Sequence, residues 1–181
     1  MRRAASIIAL ALAYFAATHT VEASDEPAAA VPVLTVCQAL RGASQYSSRT
    51  VIVVGRAVDA AEGGWLDEGC GLVLTFGDRK FPPAISTAYD ADETAAPPAL
   101  PKGFKWDKRA IERALAEVQA TSHLQAKTSW CAVYGRLEVN PVRQIDLGNG
   151  RSVQTVGYGH GGGAAAQLVG PVDGVLRLKG K

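Results

Sequence analysis

The chain of 181 residues predicts an α+β fold, mainly β, built around a small barrel. Three observations predict it. The run Thr50 to Val58 is dense in β-branched residues and apolar on both faces, as in a strand covered on two sides. Further short β-forming runs recur at Gly71–Phe76, Ser129–Val139, Ser152–Tyr158 and Gly174–Leu178. One amphipathic helical stretch, Lys108 to about Ala120, lies between the third and fourth strands. A five-stranded OB-like barrel carries a helix at that place in its strand order. The expectation is therefore a five-stranded OB-like barrel with a short N-terminal helix and a longer helix between strands 3 and 4.

The N-terminus reads as a leader. Arg2 and Arg3 precede the apolar core Ile7 to Ala17, and Val21-Glu22-Ala23 offers small residues for cleavage after Ala23. Residues 1–23 are thus expected to be a signal peptide, leaving no stable membrane anchor, since the apolar run is short for a span. Residues 24–33, rich in Ala, Pro and acid, read as a flexible tether, and 34–181 as one domain. Cleavage would remove Arg2, Arg3 and Glu22 from the 19 basic and 17 acidic residues. The near-neutral remainder argues against a nucleic-acid partner, which would want a basic face.

Thr35 and Gln38 have capping-box spacing, with Val36, Ala39 and Leu40 on the apolar side and Gly42 as the stop. In the strand that follows, Val51, Val53, Gly55 and Ala57 fall on one face and Ile52, Val54, Arg56 and Val58 on the other. Gly55 predicts a bend or bulge. Gly63-Gly64 then turns the chain into Trp65-Leu66. Residues 77–105, bracketed by Pro82-Pro83 and Pro97-Pro98, read as a long Pro/Ala-rich loop. Asp107 caps the longer helix, whose apolar stripe is Ile111, Ala114, Leu115 and Val118. Its charged residues read as a solvated face. Gly148-Asn149-Gly150 is a turn, and Ala164 to Val169 a short helical or extended piece. Of the three cysteines, Cys37 and Cys70 stand at element ends and are the expected disulfide. Cys131 alternates with Val133 and Leu137, as a core thiol would.

As a set these residues resemble a family: Val36-Cys37 opening a short helix, Tyr46 in a turn, Thr50-Val51 to Gly55 as first strand, Glu62 with Trp65-Leu66, Cys70, and Gly157-Tyr158-Gly159-His160 before Ala166-Gln167-Leu168-Val169. The pattern is similar to that of small exported bacterial OB-fold-like proteins of uncharacterised function. Ser47-Ser48 and Val54 depart from it, where a Gly and an Arg are usual. The resemblance implies the fold and an exported location, and carries no catalytic residue across.

No motif supports catalysis. Gly157, Gly159 and Gly162 satisfy G-x-G-x-x-G, but too little chain follows for the remaining βα units of a dinucleotide fold. They are expected instead to supply positive φ and close backbone approach. His123 and His160 lack metal-ligand spacing, so neither metal nor cofactor is expected. The expected function is an exported, non-enzymatic binding or structural domain. Its partner would be a protein, glycan or small ligand, met by loops carrying Glu62, Trp65, Asp67, Glu68 and His160. One alternative is an exported hydrolase using the acidic turn (Asp59, Glu62, Asp67, Glu68) with His160. Another is weak oligonucleotide or oligosaccharide binding, disfavoured by the 7% aromatic content.

Overall fold

In this computed structural model the described residues are 30–60, 63–88, 96–121, 129–139, 142–159 and 162–179. The expected leader, most of the tether, Glu62, His123 and His160 lie outside them. The chain begins with β1 (Val33–Thr35) and passes directly into α1 (Val36–Arg41). The predicted capping box forms: the Gln38 backbone N–H donates to Thr35 Oγ1 at 3.2 Å, and the Thr35 N–H donates to Gln38 Oε1 at 3.0 Å. Two of the helix's orphan donors are thereby satisfied within four residues of sequence. A short second helix, α2 (Ala43–Tyr46), leads to β2 (Thr50–Ala60).

Then follow β3 (Gly63–Asp67), the hairpin of β4 (Leu74–Phe76) and β5 (Arg79–Phe81), and β6 (Ala84–Ala88). Next come α3 (Lys108–Thr121), β7 (Trp130–Glu138), a second hairpin of β8 (Val142–Gly148) and β9 (Arg151–Val156), β10 (Ala166–Val169) and β11 (Val175–Leu178). Strands β2, β3, β6, β10 and β7 pair in that order, and β7 pairs back onto β2, so the sheet closes. All these pairings are antiparallel except β6 with β10, which is parallel. The fold is the expected α+β, mainly β, OB-like five-stranded barrel, and α3 lies between its third and fourth strands. The strand β1 adds in parallel to β2, and β11 antiparallel to β7.

Two ring strands differ from those expected. The third is β6, inside the segment expected to be a loop over 77–105; Gly71–Phe76 supplies only β4 of a side hairpin. Ala84-Ile85-Ser86-Thr87-Ala88 is short and follows two prolines, so local propensity is weak. Pairing to both β3 and β10 makes it a strand. The fifth ring strand is β10, not Ser152–Tyr158, most of which forms β9 and pairs with β8 around the predicted Gly-Asn-Gly turn. Alternation in sequence identifies a strand without naming its partner. The domain also starts earlier than residue 34, because Val31 and Val33 pack on the outer cluster and Val33 pairs with Ile52.

The barrel interior holds Val51, Val53, Leu66, Ile85, Val133, Leu137 and Leu168, with Val36, Ala39 and Leu40 of α1 packed against them. The opposite face of β2 and β7 presents Ile52, Val54, Ala132 and Tyr134 to Ile111 and Ala114 of α3. This explains why β2 is apolar on both sides. Gly55 serves a purpose other than the expected bulge. The β2–β7 register runs through it unbroken, and a Cβ there would lie 2.7 Å from Val36 Cγ2. The glycine admits α1 to the barrel. The predicted cap of α3 is present, with the Ala110 N–H donating to Asp107 Oδ1 at 3.0 Å. On its solvated face the exposed Glu117 accepts from Gln38 Nε2 at 2.9 Å, which ties α3 to α1. Among the described residues no helix is long and apolar enough to cross a membrane.

Candidate functional site

Among the described residues the barrel wall is interrupted beside β11, and the cause is local. One edge of β7 is used twice. Arg136–Glu138 pair with β10, and Trp130–Val133 pair with β11. Between them the chain steps aside over Gly170–Gly174. Gly170 allows this step, since a Cβ there would lie 2.2 Å from the Tyr134 carbonyl oxygen. Gly174 rejoins the sheet by accepting from the Tyr134 N–H at 2.8 Å. On the far side of β10 stands β6. On the far side of β11 no strand stands among the described residues.

A slot of about 590 Å³ opens there. One wall is Val175, Arg177 and Leu178 of β11 with Val172 from the preceding turn; the other is Gly64 and Trp65 of β3 with Thr87 of β6. Ala57, Leu66 and Cys131 lie behind them. The volume falls in the range of small-molecule and peptide pockets. Thr87 and Arg177 are polar residues on its two walls, and neither has a side-chain partner among the described residues. Thr87 is 7% exposed and its Oγ1 has no hydrogen-bond partner. Gly64 makes room for it, since a Cβ at 64 would lie 2.7 Å from that oxygen. Arg177 is exposed, and among the described residues it makes no ion pair. It shares the inward face of β11 with Val175, because it pairs with Cys131 as Val175 pairs with Val133. A buried hydroxyl without a partner costs free energy, and that of Thr87 is covered by protein atoms rather than open to the slot.

The residues expected to form a partner loop separate. Trp65 lines the slot. Asp67 forms an ion pair with Arg56 across the β2–β3 pairing. Glu68 is only 3% exposed, and its Oε2 accepts the Cys37 N–H at 2.6 Å. It braces α1 and does not offer itself to a partner. The Cys37–Cys70 disulfide forms as expected, with Cα atoms 6.7 Å apart, and the Glu68 carboxylate lies beside it. Cys131 stands outside the disulfide and is buried in the barrel. Glu62 and His160, which the hydrolase alternative needs, lie outside the described residues.

The glycine loop behaves as expected. Gly157, Gly159 and Gly162 all have positive φ. A Cβ on Gly159 would meet Trp65 Cη2 at 3.0 Å and Ser86 Oγ at 2.8 Å, so the loop lies against β3 and β6. Thr87 and Arg177 were missed as site residues. The available signal for Arg177 was its place on the apolar face of an alternating strand; Thr87 fell in a segment read as loop. No family model, curated protein or solved structure matches the chain. The class of protein is therefore defined by the fold and the slot alone, as an OB-like barrel with a split fifth strand.

Proposed function

We infer that this is an exported, non-enzymatic binding domain whose ligand enters the slot between β11 and the β3–β6 wall. The observation that carries the reading is the slot itself, with Gly64, Trp65 and Thr87 on one side and the exposed Arg177 on the other. Two further features favour binding over hydrolysis. Asp67 and Glu68 are engaged by Arg56 and by the α1 backbone, and neither lines the slot. Export is supported by the leader-like residues 1–23, by the resemblance to small exported OB-fold-like proteins, and by the Cys37–Cys70 bond, since disulfides persist in oxidising compartments. N-terminal sequencing of the protein recovered from its native cell envelope should begin at Ser24.

The slot is tested by a reporter on its rim. Val172 is 76% exposed and lines the opening. A bimane attached to the Val172→Cys variant should change its emission when small molecules and peptides extracted from the envelope are added. The same label on Lys108→Cys, on the exposed side of α3, should not respond. Equal responses at both positions, or none at either, would refute the slot as the binding site.

A further inference from the structure

Building on the slot as the binding site, we propose that its occupant is an extended acidic peptide, which adds as a strand to the open edge of β11 and sets a carboxylate against Arg177. The strand geometry carries this further than a globular ligand would. β10 and β11 follow one another along the same edge of β7. β10 has β6 as its outer neighbour, up to the Val169–Ala88 pair. β11 has none among the described residues, and the slot lies along it. A strand edge without a neighbour presents a row of unpaired N–H and C=O groups, the template on which extended peptides dock. At about 3.3 Å per residue, the four residues Val175–Leu178 match about four residues of an added strand.

The side chains specify the sequence of that strand. Residues opposite Val175 and Arg177 would face the barrel interior together, with the residue between them facing out. The position opposite Val175 meets an apolar surface, since Val175 pairs with Val133 and packs on the barrel core. The position opposite Arg177 meets a guanidinium without an ion pair among the described residues, and a carboxylate complements it in charge and shape. The recognised pattern is therefore apolar–any–acidic. On the facing wall Thr87 bounds the slot beside Gly64 and Trp65.

The test uses the full chain with the bimane at Val172→Cys and a blocked hexapeptide, Thr-Val-Thr-Asp-Thr-Ser. Saturable binding is expected. Replacing Asp with Lys, or N-methylating alternate amides, should each weaken binding about tenfold or more, a loss of about 1.4 kcal/mol. Arg177→Glu, checked for folding by circular dichroism, should prefer the Lys peptide, while Arg177→Lys should keep the original preference. Equal binding of the N-methylated peptide would overturn strand addition. So would a response to sodium octanoate with none to either peptide, and in both cases the slot would stand as a binding site. A response to protein concentration alone would place a second copy in the slot and overturn the peptide as occupant. Absence of any response to the envelope extract would sink the slot itself.

Discussion

Glu68 shows how one side chain can be read correctly for polarity and wrongly for role. An acid two residues before a cysteine looks like a solvated turn residue. In the fold it is buried and accepts the Cys37 N–H. Glu68→Ala would leave that donor without its acceptor, at a cost of about 1–3 kcal/mol. Thermal melting should show the loss, and Glu68→Gln, which keeps an acceptor, should lose less. Tyr134 gives a second prediction at this scale. Its hydroxyl donates to the Ala99 carbonyl at 3.3 Å, and burial raises its pKa above the ordinary 10.0. The unfolded chain therefore ionises first as pH rises. The stability owed to this phenol is complete below about pH 10 and is lost as pH climbs through the folded value. The stability difference between wild type and Tyr134→Phe should thus shift against the wild type above about pH 10, as measured by denaturant melts across that range.

Among the elements, α1 and β2 depend on each other. The helix is six residues long, too short to stand alone in water. It is held by its capping box, by the disulfide and by Val36 seated against Gly55. Gly55→Ala should cost about 1–3 kcal/mol by overpacking. Adding Val36→Ala should recover part of that loss, and a double-mutant cycle measures the coupling. This dependence was only half legible. Capping spacing and β-branched density are local, so α1 and β2 could be placed from sequence. Why a glycine interrupts the strand could not, because its reason is a methyl group about twenty residues away in the chain. For the same reason β6 was read as loop and the β10 segment only as a short helical or extended piece. Each is short and acquires its strand character from two neighbours distant in sequence.

For the whole molecule, the disulfide ties α1 to the chain just beyond β3, across a sequence separation of 33. The chain-entropy account assigns such a loop about 4 kcal/mol. Replacing both Cys37 and Cys70 by Ser should lower unfolding stability by about that amount, read from denaturant midpoints. Mass mapping of the non-reduced protein should link those two cysteines, and a peptide containing Cys131 in the linkage would refute the pairing. The candidate site also belongs to this scale. Trp65 was singled out from sequence and does line the slot. Thr87 and Arg177 were not, because they come to line one slot only through the placement of β6 and β11 on its opposite walls.

By itself the sequence determined what local rules govern: the capped N-terminal helix, the doubly apolar strand β2, the stripe of α3, the cysteine pair and the barrel class. Those features rest on residues a few positions apart, or on a composition that only one layer arrangement can bury. Tertiary structure alone decided which short segments complete the ring. It also decided that Glu68 turns inward, and that the fifth strand splits at Gly170–Gly174. These follow from hydrogen-bond partners and close approaches between distant residues, which no single window of sequence contains. The slot beside β11 is the consequence, since it exists only because the edge that β10 shares with β6 has no counterpart along β11 among the described residues.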